Sequence, residues 1–310
     1  MLITIAICTF NRAESLRRTL ESLAAMRVPN DLAWELVVVN NNSTDHTDTV
    51  IEAFVGRLPI RREFEPQGGL SHARNRAIEA AKGDYIIWTD DDVVVDPGWL
   101  AAYAEAFARW PEAAVFGGRI IPRYETPVVE WVANAGAALA GPYAVRDFGD
   151  QPMRLTPAGY RLPYGANFAV RGAEQKANRY DPDLGVGPGR NRMADELEVI
   201  EAILRSGGTG YWVPEARVDH CIGHERQTLH YITRYFSAAG ETDAFRAVRA
   251  GTARDLWFGA PRWLWRRFLI GWTTYHICRL VTPTRVWVRY LCTYVYARSA
   301  IQFWRGQRSA

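Results

Sequence analysis

The protein has 310 residues, of which 48% are hydrophobic, and this content suits a packed core and argues against a disordered chain. Its four cysteines form no Cys-x-x-Cys pair, and four in a chain of this length do not suggest a fold held together by disulfides. A reducing, cytoplasmic setting is therefore expected. The net charge is only +3, and the apolar N-terminal segment lacks a basic leader, which predicts a strand rather than a signal peptide.

Apolar runs alternate with helical periodicity up to about Gly118. Leu16, Leu20 and Leu23 recur at the spacing of one helix face, whereas residues 35–39 form an apolar run typical of a strand buried on both faces. The predicted elements are strands at 2–8, 35–39, 60–65 and 85–88, and helices around 16–23 and at 44–54 and 71–82. This regular alternation predicts an α/β fold with a doubly wound sheet.

The second half of the chain is less regular, because proline and glycine are frequent between Pro122 and Gly189. The predicted elements there are strands near 114–121 and 167–171 and a helix at about 194–205. These patterns divide the chain into a regular part at 1–118, a less regular part at 119–255 and a tail at 256–310, which is expected to be helical.

Three adjacent carboxylates, Asp90, Asp91 and Asp92, follow the apolar run that ends at Trp88. Adjacent negative charges repel one another, and Mg²⁺ or Mn²⁺ often binds through one or two carboxylates together with substrate phosphates. On an extended segment Asp90 and Asp92 would point the same way and Asp91 the opposite way. Open α/β sheets also bind ligands at the carboxyl ends of their strands. The alternative is a solvated acidic turn that leads into a helix starting near Pro97.

Several short sequence blocks lie in order along roughly the first 225 residues. They are Cys8-Thr9-Phe10-Asn11-Arg12, Val39-Asn40-Asn41-Asn42-Ser43-Thr44-Asp45, Gly69-Leu70-Ser71-His72-Ala73-Arg74-Asn75, Asp90-Asp91-Asp92, Gly165-Ala166-Asn167-Phe168-Ala169-Val170-Arg171, Tyr180-Asp181-Pro182-Asp183-Leu184-Gly185 and Asp195-Glu196. Together they resemble glycosyltransferase family 2 enzymes. The resemblance implies a GT-A-type, Rossmann-like mixed sheet and an inverting transfer from a nucleotide-diphosphate sugar. Residues 1–118 would then form the nucleotide-sugar-binding half, and residues 119–255 the acceptor-binding, catalytic half of the same domain. The tail at 256–310, expected as a C-terminal helical extension, is not covered by the resemblance.

The resemblance also implies a donor site. Asp92 and Asp90 would hold the metal ion that bridges the diphosphate, with Asp92 as the direct ligand and Asp91 beside them, and Arg74 would reach the diphosphate. The base and ribose would contact Thr9, Asn11, Arg12, Asn40 and Asn41. The family often has an acidic residue at the position of Asn40 or Asn41. An amide can still pair with uracil, so UDP or dTDP remains the expected nucleotide.

An acidic pair, Asp195 and Glu196, opens the helix predicted at 194–205. In the family that this chain resembles, an acidic pair in this segment supplies the base that deprotonates the acceptor hydroxyl. Glu196 aligns with that base, but the order here is Asp-Glu rather than the more usual Glu-Asp, so the assignment between the two stays open. The alternative is that both carboxylates only favour the helix dipole.

Two further candidates lie in the second half of the chain. His220 and His224 are four residues apart, as in a metal-binding helix, but Gly223 and Pro214 predict a loop. His220 would either contact the metal ion or the diphosphate, or belong to a structural or lid segment near them. Asn167 would line the donor-sugar or acceptor pocket, or only form part of the sheet.

The tail at 256–310 has nine arginines, no lysine and no acidic residue, and it holds six of the twelve tryptophans. Helices are predicted at 261–281 and 284–304. No stretch is long and apolar enough to span a bilayer, whereas arginine with tryptophan is typical of an interfacial helix on an anionic membrane. The alternative is a helix pair that packs on the catalytic domain or on a partner subunit. Nucleic-acid binding is not expected, because no recognised binding module is present.

The sequence therefore predicts a metal-dependent, inverting glycosyltransferase that is cytoplasmic and peripheral at the inner face of the cell membrane. Its expected acceptor is a hydroxyl of a lipid-linked or cell-surface glycan. One alternative is a sugar-1-phosphate nucleotidyltransferase, although the loop at 9–12 lacks the glycines that such enzymes usually carry. The other is a non-catalytic nucleotide-sugar-binding protein. A dinucleotide-binding oxidoreductase is disfavoured, because no Gly-x-Gly-x-x-Gly follows a strand.

Overall fold

The computed structural model describes residues 1–157, 161–252 and 255–307. Its strands are β1 (Leu2–Thr9), β2 (Ala33–Asn40), β3 (Ile60–Phe64), β4 (Tyr85–Thr89), β5 (Val93–Val95), β6 (Ala113–Tyr124), β7 (Asn167–Arg171), β8 (Val186–Gly187), β9 (Arg190–Asn191), β10 (Thr209–Ile222), β11 (Leu256–Trp257) and β12 (Ala260–Pro261). Its α-helices are α1 (Ala13–Ala24), α2 (Thr47–Glu52), α3 (Leu70–Ala80), α4 (Trp99–Arg109), α5 (Glu130–Ala133), α6 (Gly172–Ala177), α7 (Asp195–Arg205), α8 (Leu229–Arg249), α9 (Arg262–Val281) and α10 (Thr284–Gly306), and 3₁₀ helices occupy Gly136–Leu139 and His224–Gln227.

The chain divides into two compact units. The first consists of Met1–Arg123, Ala144–Arg190 and Ala194–Cys221, and the second of Tyr124–Tyr143, Asn191–Met193 and Ile222–Ala310. This division follows compactness rather than role. The expected division by role, with boundaries after residues 118 and 255, stays a prediction.

The first unit is built on an eight-stranded mixed sheet in the order β3-β2-β1-β4-β7-β6-β10-β5. β3, β2, β1 and β4 run parallel to one another, whereas β7 is antiparallel to both β4 and β6, and β5 is antiparallel to β10. Parallel neighbours end on the same side of a sheet. The last residues of β1, β2 and β4 therefore lie along one edge, where the polar sequence blocks begin.

Apolar side chains cover both faces of this sheet. Ile5 of β1 and Val38 of β2 point to one face, where they pack with Leu16 and Leu20 of α1. Ala6 and Val37, next to them in sequence, point to the other face. There they pack in one core with Ala77 of α3 and Ile200 of α7. Alternate residues of one strand thus enter opposite cores, which is why the strands read as continuous apolar runs. The predicted doubly wound α/β fold is confirmed.

Element boundaries follow local hydrogen bonds. The helix predicted at 44–54 is shorter, because a carboxylate oxygen of Asp45 accepts from the N–H and the hydroxyl of Thr47 and so delays the helix start. The strand predicted at 167–171 and the helix predicted at about 194–205 form as β7 and α7.

Three long helices dominate the second unit. α10 packs against both α8 and α9, and its buried residues include Tyr296, Ala300 and Trp304. α9 crosses α10 closely at Gly271, where an added Cβ would lie 2.8 Å from the Tyr294 backbone nitrogen. Residues of α8, α9, α10 and β12 line a cavity of about 330 Å³. The two helices predicted for the tail are confirmed as α9 and α10, with a break at Thr282 and Pro283.

Candidate active site

The three carboxylates lie between β4 and β5. Asp91 and Asp92 form a turn and are buried, with 4% and 6% of their surface exposed. Nη1 of Arg12 lies 3.0 Å from Oδ1 of Asp91 and 2.9 Å from Oδ2 of Asp92. The extended alternation expected for this segment is therefore wrong, because the turn directs Asp91 and Asp92 to the same guanidinium. We call residues 90–92 the carboxylate turn.

Burial makes two residues of the carboxylate turn, Asp90 and Asp91, hard to ionise. Burial raises the pKa of Asp91 to about 6, against the opposing charge of Arg12, and the charge of Asp92 adds to the rise. Burial and Asp92 also raise the pKa of Asp90. Arg12 has 48% of its side chain exposed, and the charge of Asp91 raises its pKa. An added cation at this turn would reduce the repulsion among the carboxylates.

His220 reaches the same turn from β10. β10 pairs with β5 so that His220 lies opposite Val93, and the Cys221 N–H donates to the Asp92 carbonyl over 2.8 Å. This pairing places Nε2 of His220 3.4 Å from Oδ1 of Asp92. The loop predicted around His220 is wrong. From Pro214 onward every second residue is buried, as in a strand, and this period of two was the signal that the sequence offered.

A second charged cluster joins α3 and α7. Nη1 of Arg74 lies 2.6 Å from Oδ2 of Asp195 and 3.7 Å from Oε2 of Glu196. Arg74 and Asp195 are 4% and 3% exposed, so their ion pair is buried. Ala194, with φ of 68°, turns the chain sharply before α7 and places both acidic residues in the first helical turn. There the helix dipole favours negative charge.

The two acidic residues of this cluster differ in their surroundings. Asp195 is the direct partner of Arg74. Burial raises the pKa of the Glu196 carboxyl to about 7, and the charge of Asp195 adds to the rise while Arg74 opposes it. Burial alone would lower the pKa of Arg74, but Asp195 and other nearby acidic groups, Asp90 among them, raise it well above the usual value. Asp90 of the carboxylate turn and the acidic pair therefore both act on Arg74.

The amides at the end of β2 brace loops. Asn40 donates to Oδ1 of Asp48 over 2.6 Å and accepts from the Ser43 N–H over 2.9 Å. Asn41 donates to two backbone carbonyls and accepts from the Gly69 N–H over 2.8 Å. Both side chains are buried. A nucleotide base would have to exchange with these partners, so base recognition by the two amides stays a prediction.

Thr9 and Asn11 shape the loop that carries Arg12. The Thr9 hydroxyl donates to Oδ2 of Asp91 over 2.7 Å. Asn11 has φ of 52°, and its side-chain oxygen accepts from the Thr44 N–H over 2.7 Å. Asparagine tolerates this left-handed conformation better than most residues. These contacts hold Arg12 beside the carboxylate turn, while direct nucleotide contacts of Thr9 and Asn11 stay predictions.

Asn167 braces the sheet from its interior. It is fully buried, and its amide nitrogen donates to the carbonyls of Arg119 and Ala216. Its oxygen accepts from Nε1 of Trp99 and from the Tyr103 hydroxyl, both over 2.8 Å. These four bonds use the hydrogen-bonding capacity of a side-chain amide. We therefore leave Asn167 out of the proposed donor site, in line with the alternative that it only forms part of the sheet.

Comparison with known families identifies the family of this chain. The sequence model of the family described as Glycosyl transferase family 2 matches residues 4–171, which is more than half of the chain. The chain belongs to glycosyl transferase family 2. It is therefore a glycosyltransferase, and the family 2 assignment sets aside a nucleotidyltransferase and a non-catalytic binding protein.

Relatives of this family 2 protein match across most of its length. Succinoglycan biosynthesis protein ExoM of Rhizobium meliloti is 26% identical over 260 residues, which cover 82% of this chain and 78% of ExoM. Glucosyl-dolichyl phosphate glucuronosyltransferase of Haloferax volcanii is 25% identical over 238 residues, which cover 75% of this chain and 73% of the relative.

Two solved structures share the fold. The mannosyltransferase PcManGT from Pyrobaculum calidifontis, in complex with GDP-Man and Mn²⁺, aligns with a TM-score of 0.62 and 17% identity over 96% of this chain and 85% of its own. TarS 1-349 of S. aureus, in complex with UDP-GlcNAc, aligns with a TM-score of 0.57 and 16% identity over 99% and 92%. These likenesses confirm the GT-A-type fold predicted for the family 2 chain.

The carboxylate turn fits a divalent cation. Among the residues that the structure describes, no three or more His, Cys, Asp or Glu side chains are arranged to hold an ion by themselves. Magnesium and manganese sites on nucleotides need only one or two carboxylates, because substrate phosphates and water complete the coordination. Oxygens of Asp90 and Asp92 meet that requirement, and Nε2 of His220 lies beside the second.

Two residues near Arg74 were not predicted as site residues, although both lie in sequence blocks shared with family 2. Cζ of Arg74 lies 5.2 Å from the centre of the buried Tyr180 ring, within the range of a cation–π contact. A Cβ on Gly165 would lie 2.6 Å from Nη2 of Arg74, and the Gly165 N–H donates to Glu196 over 3.3 Å. Both residues position Arg74 against the acidic pair, which no sequence pattern indicates.

Proposed function

We propose that this family 2 protein is a metal-dependent, inverting glycosyltransferase that moves a sugar from a nucleotide-diphosphate donor to a glycan hydroxyl. The observation that carries the proposal is the buried Glu196 carboxyl, whose pKa is raised to about 7 beside Arg74 and Asp195. A carboxylate with a pKa near the working pH accepts a proton far more readily than an ordinary glutamate, which suits a general base.

The donor diphosphate would lie at the carboxylate turn. Asp92 and Asp90 would hold Mg²⁺ or Mn²⁺, which when bound stabilises the negative charge of the leaving diphosphate. Arg12, with about half of its side chain exposed, would leave its two carboxylates and contact the diphosphate. His220 would support Asp92 or contact the diphosphate directly, since its Nε2 lies 3.4 Å from that carboxylate.

Transfer would take place in a single displacement. Glu196 takes the proton of the acceptor hydroxyl as the hydroxyl oxygen bonds to the anomeric carbon. The bond from that carbon to the phosphate oxygen breaks, and its electron pair leaves with the diphosphate. One attack on the face opposite the leaving group inverts the anomeric centre. Asp195 and Arg74 would hold Glu196 in place through the buried ion pair.

UDP or dTDP remains our expected donor nucleotide. The bound structures do not choose between bases, since PcManGT holds GDP-Man and TarS holds UDP-GlcNAc. The amides of Asn40 and Asn41 offer the donor and acceptor groups that uracil and thymine need, provided that they exchange their present loop partners.

The proposed acceptor is a hydroxyl of a lipid-linked or growing cell-surface glycan. Support comes from the names of the two relatives that match most of this chain. One is a succinoglycan biosynthesis protein, and the other is a transferase named for glucosyl-dolichyl phosphate. Such acceptors assemble on membranes, so the protein would work at the inner face of the cell membrane.

Calorimetric titration of UDP, dTDP and GDP, each with and without Mn²⁺, tests the donor site. We expect one nucleotide to bind in a Mn²⁺-dependent manner to the wild type and not to Asp92→Ala. The matched control is Asp219→Asn, which removes a partly exposed carboxylate one residue from His220. If the Asp92→Ala protein binds nucleotide and Mn²⁺ as the wild type does, the proposed metal site is wrong.

A further inference from the structure

The outer face of α9 exposes a group of large aliphatic residues. Five of them lie on one side of this helix and are 50–77% exposed: Leu269, Ile270, Ile277, Leu280 and Val281. Their spacing places them on one helical stripe, which also carries the exposed Arg266 and Thr273. Single exposed aliphatic residues are common on protein surfaces, but five on one side of a helix indicate an interaction surface.

Aromatic residues extend this surface beyond the N-terminal end of α9. The hairpin of β11 and β12 exposes 49% of Trp257 and 83% of Phe258, and Trp263 in the first turn of α9 is 54% exposed. Cζ of Arg262 lies 4.5 Å from the centre of the Trp257 ring. Tryptophan beside arginine is the combination found where a protein surface meets lipid headgroups.

Every charged side chain of α9 itself is an arginine. Arg262, Arg266 and Arg279 of α9 and Arg285 at the start of α10 are exposed. Because residues 256–310 contain no aspartate or glutamate, these arginines cannot pair with carboxylates of their own segment. An anionic surface therefore complements this part of the protein, whereas a second copy of the same face would bring arginines against arginines.

α10 differs from α9 in its surroundings. Its buried residues, including Ala297, Ile301 and Trp304, pack in the core of the second unit with α8. α9 packs on α10 through the side that carries Gly271 and Leu264, which leaves the aliphatic stripe on the opposite side. We therefore restrict the expected membrane contact to α9 and the hairpin. α10 instead packs on other helices of the protein, which was the alternative expected for the tail.

We propose that the outer face of α9 and the tip of the β11–β12 hairpin form a binding surface for anionic lipid bilayers. The helix lies in the plane of the headgroups, with its aliphatic stripe and Phe258 among the acyl chains and its arginines at the phosphates. None of the helices that the structure describes is both long and apolar enough to cross a bilayer. This inference stands apart from the proposed sugar chemistry and does not depend on the donor.

Vesicle sedimentation of the full chain tests the proposal. We compare vesicles of phosphatidylcholine with vesicles that also contain phosphatidylglycerol. The wild type is expected to bind the anionic vesicles more tightly, with affinity that falls as salt rises. Arg266→Gln together with Arg279→Gln should weaken binding about 25-fold at low salt, since each arginine contributes about fivefold. Ile270→Gln with Ile277→Gln should weaken it about tenfold at any salt concentration.

The matched control exchanges two exposed valines that belong neither to α9 nor to the hairpin, Val55→Gln with Val128→Gln, and it should bind as the wild type does. Circular dichroism and glycosyl transfer to a water-soluble acceptor check that each variant folds. Wild type that ignores anionic vesicles overturns the proposal. So does a lipid-free dimer that the Ile270→Gln, Ile277→Gln protein dissociates, because the stripe would then be covered by a second copy of the chain.

Discussion

Glu196 and Asp195 contact Arg74 at different distances, although the two are neighbours in sequence. Asp195 lies 2.6 Å from a guanidinium nitrogen of Arg74 and forms a buried ion pair with it. Glu196 lies 3.7 Å from the same nitrogen and is raised to a pKa of about 7 by burial and by the charge of Asp195. At the residue scale, the site thus has one carboxylate that fixes a cation and one that can exchange a proton near neutral pH.

The pH dependence of transfer should follow Glu196. The base must be ionised to accept a proton, so kcat/KM is expected to rise with pH up to about 7 and then level off. Glu196→Gln should lower kcat by roughly 10²–10⁴-fold and abolish that rise, while calorimetry shows donor binding unchanged. Glu198→Gln, two residues further along α7, is the control. A rise with pH that persists in Glu196→Gln would assign the base elsewhere.

Stability should also depend on Glu196. Its pKa in the folded protein, about 7, exceeds the ordinary glutamate value of 4.5, so between these pH values the folded protein keeps a proton that the unfolded chain has released. The free energy of unfolding therefore falls as pH rises from 4.5 to 7. Glu196→Gln should be more stable than the wild type at pH 8, by on the order of 1–3 kcal/mol, and this gain should vanish near pH 4.5. Thermal unfolding at both pH values measures it, and a pH-independent difference would contradict the raised pKa.

Arg12 pairs with Asp91 and with Asp92, and Asp92 is one of the two carboxylates that we assign to the metal ion. Removing its charge should therefore strengthen binding of Mn²⁺ alone, without nucleotide, because a competing cation is gone from Asp91 and Asp92. Titration of free Mn²⁺ by electron paramagnetic resonance compares the wild type with Arg12→Gln. Arg62→Gln is the control, since Arg62 is similarly exposed and pairs with Asp48 instead. Weaker Mn²⁺ binding by Arg12→Gln alone would show that Arg12 supports the ion rather than replaces it.

At the scale of elements, α1 fixes the position of β5. The Thr19 hydroxyl donates to the Val93 carbonyl over 2.9 Å and accepts from the Val93 N–H over 3.2 Å. The Ser22 hydroxyl accepts from the Val95 N–H over 3.1 Å. Because Val93 directly follows the carboxylate turn, α1 holds one end of that turn by side-chain hydroxyls.

Thr19→Val should therefore loosen both the sheet and the metal site. The variant leaves a buried N–H and a buried carbonyl without the hydroxyl that satisfies them, at a cost of about 1–3 kcal/mol each before relaxation. We expect a lower free energy of unfolding in urea and weaker Mn²⁺-dependent nucleotide binding. Thr49→Val, an exposed threonine on α2, should change neither. If nucleotide affinity is unaltered in Thr19→Val, the contact between Thr19 and Val93 does not position the carboxylate turn.

Local patterns predicted most elements of the first unit but not the contacts between them. Leu16, Leu20 and Leu23 predicted α1 because burial on one helix face leaves a periodic mark in sequence. β10 was missed around His220, since Pro214 and Gly223 suggested a loop more strongly than the alternation suggested a strand.

The candidate site shows the same limit. The sequence blocks singled out Arg74, Asp195 and Arg12, but nothing local indicates that Arg74 would meet a residue 121 positions away. The turn at Asp91 and Asp92 likewise depends on Arg12, about 80 residues earlier. Such contacts arise only when the sheet order is known, so roles that depend on them could not be assigned from sequence.

At the scale of the whole molecule, donor and metal ion should stabilise the fold together. A ligand that binds only the folded protein stabilises it by about 2.7 kcal/mol at a concentration of 100 times Kd. We expect UDP with Mn²⁺ to raise the unfolding temperature of the wild type more than the sum of either alone. Asp92→Ala should lose the joint effect, which differential scanning calorimetry measures. Additive shifts would mean that metal and nucleotide bind at separate sites.

The hydroxyls of α1 have a further consequence, for encounters between molecules. β3 and β5 are the two outer strands of the sheet, and the free edge of an outer strand can recruit a strand of another chain into an aggregate. On β5 the outward N–H groups of Val93 and Val95 are already bound by Thr19 and Ser22. On β3 the side chains of Arg61, Arg62 and Glu63 make ion pairs with charged residues of neighbouring elements. Both edges of the sheet are thus protected against pairing with a strand of another molecule. Hydroxyl groups protect the β5 edge, and charged side chains protect the β3 edge.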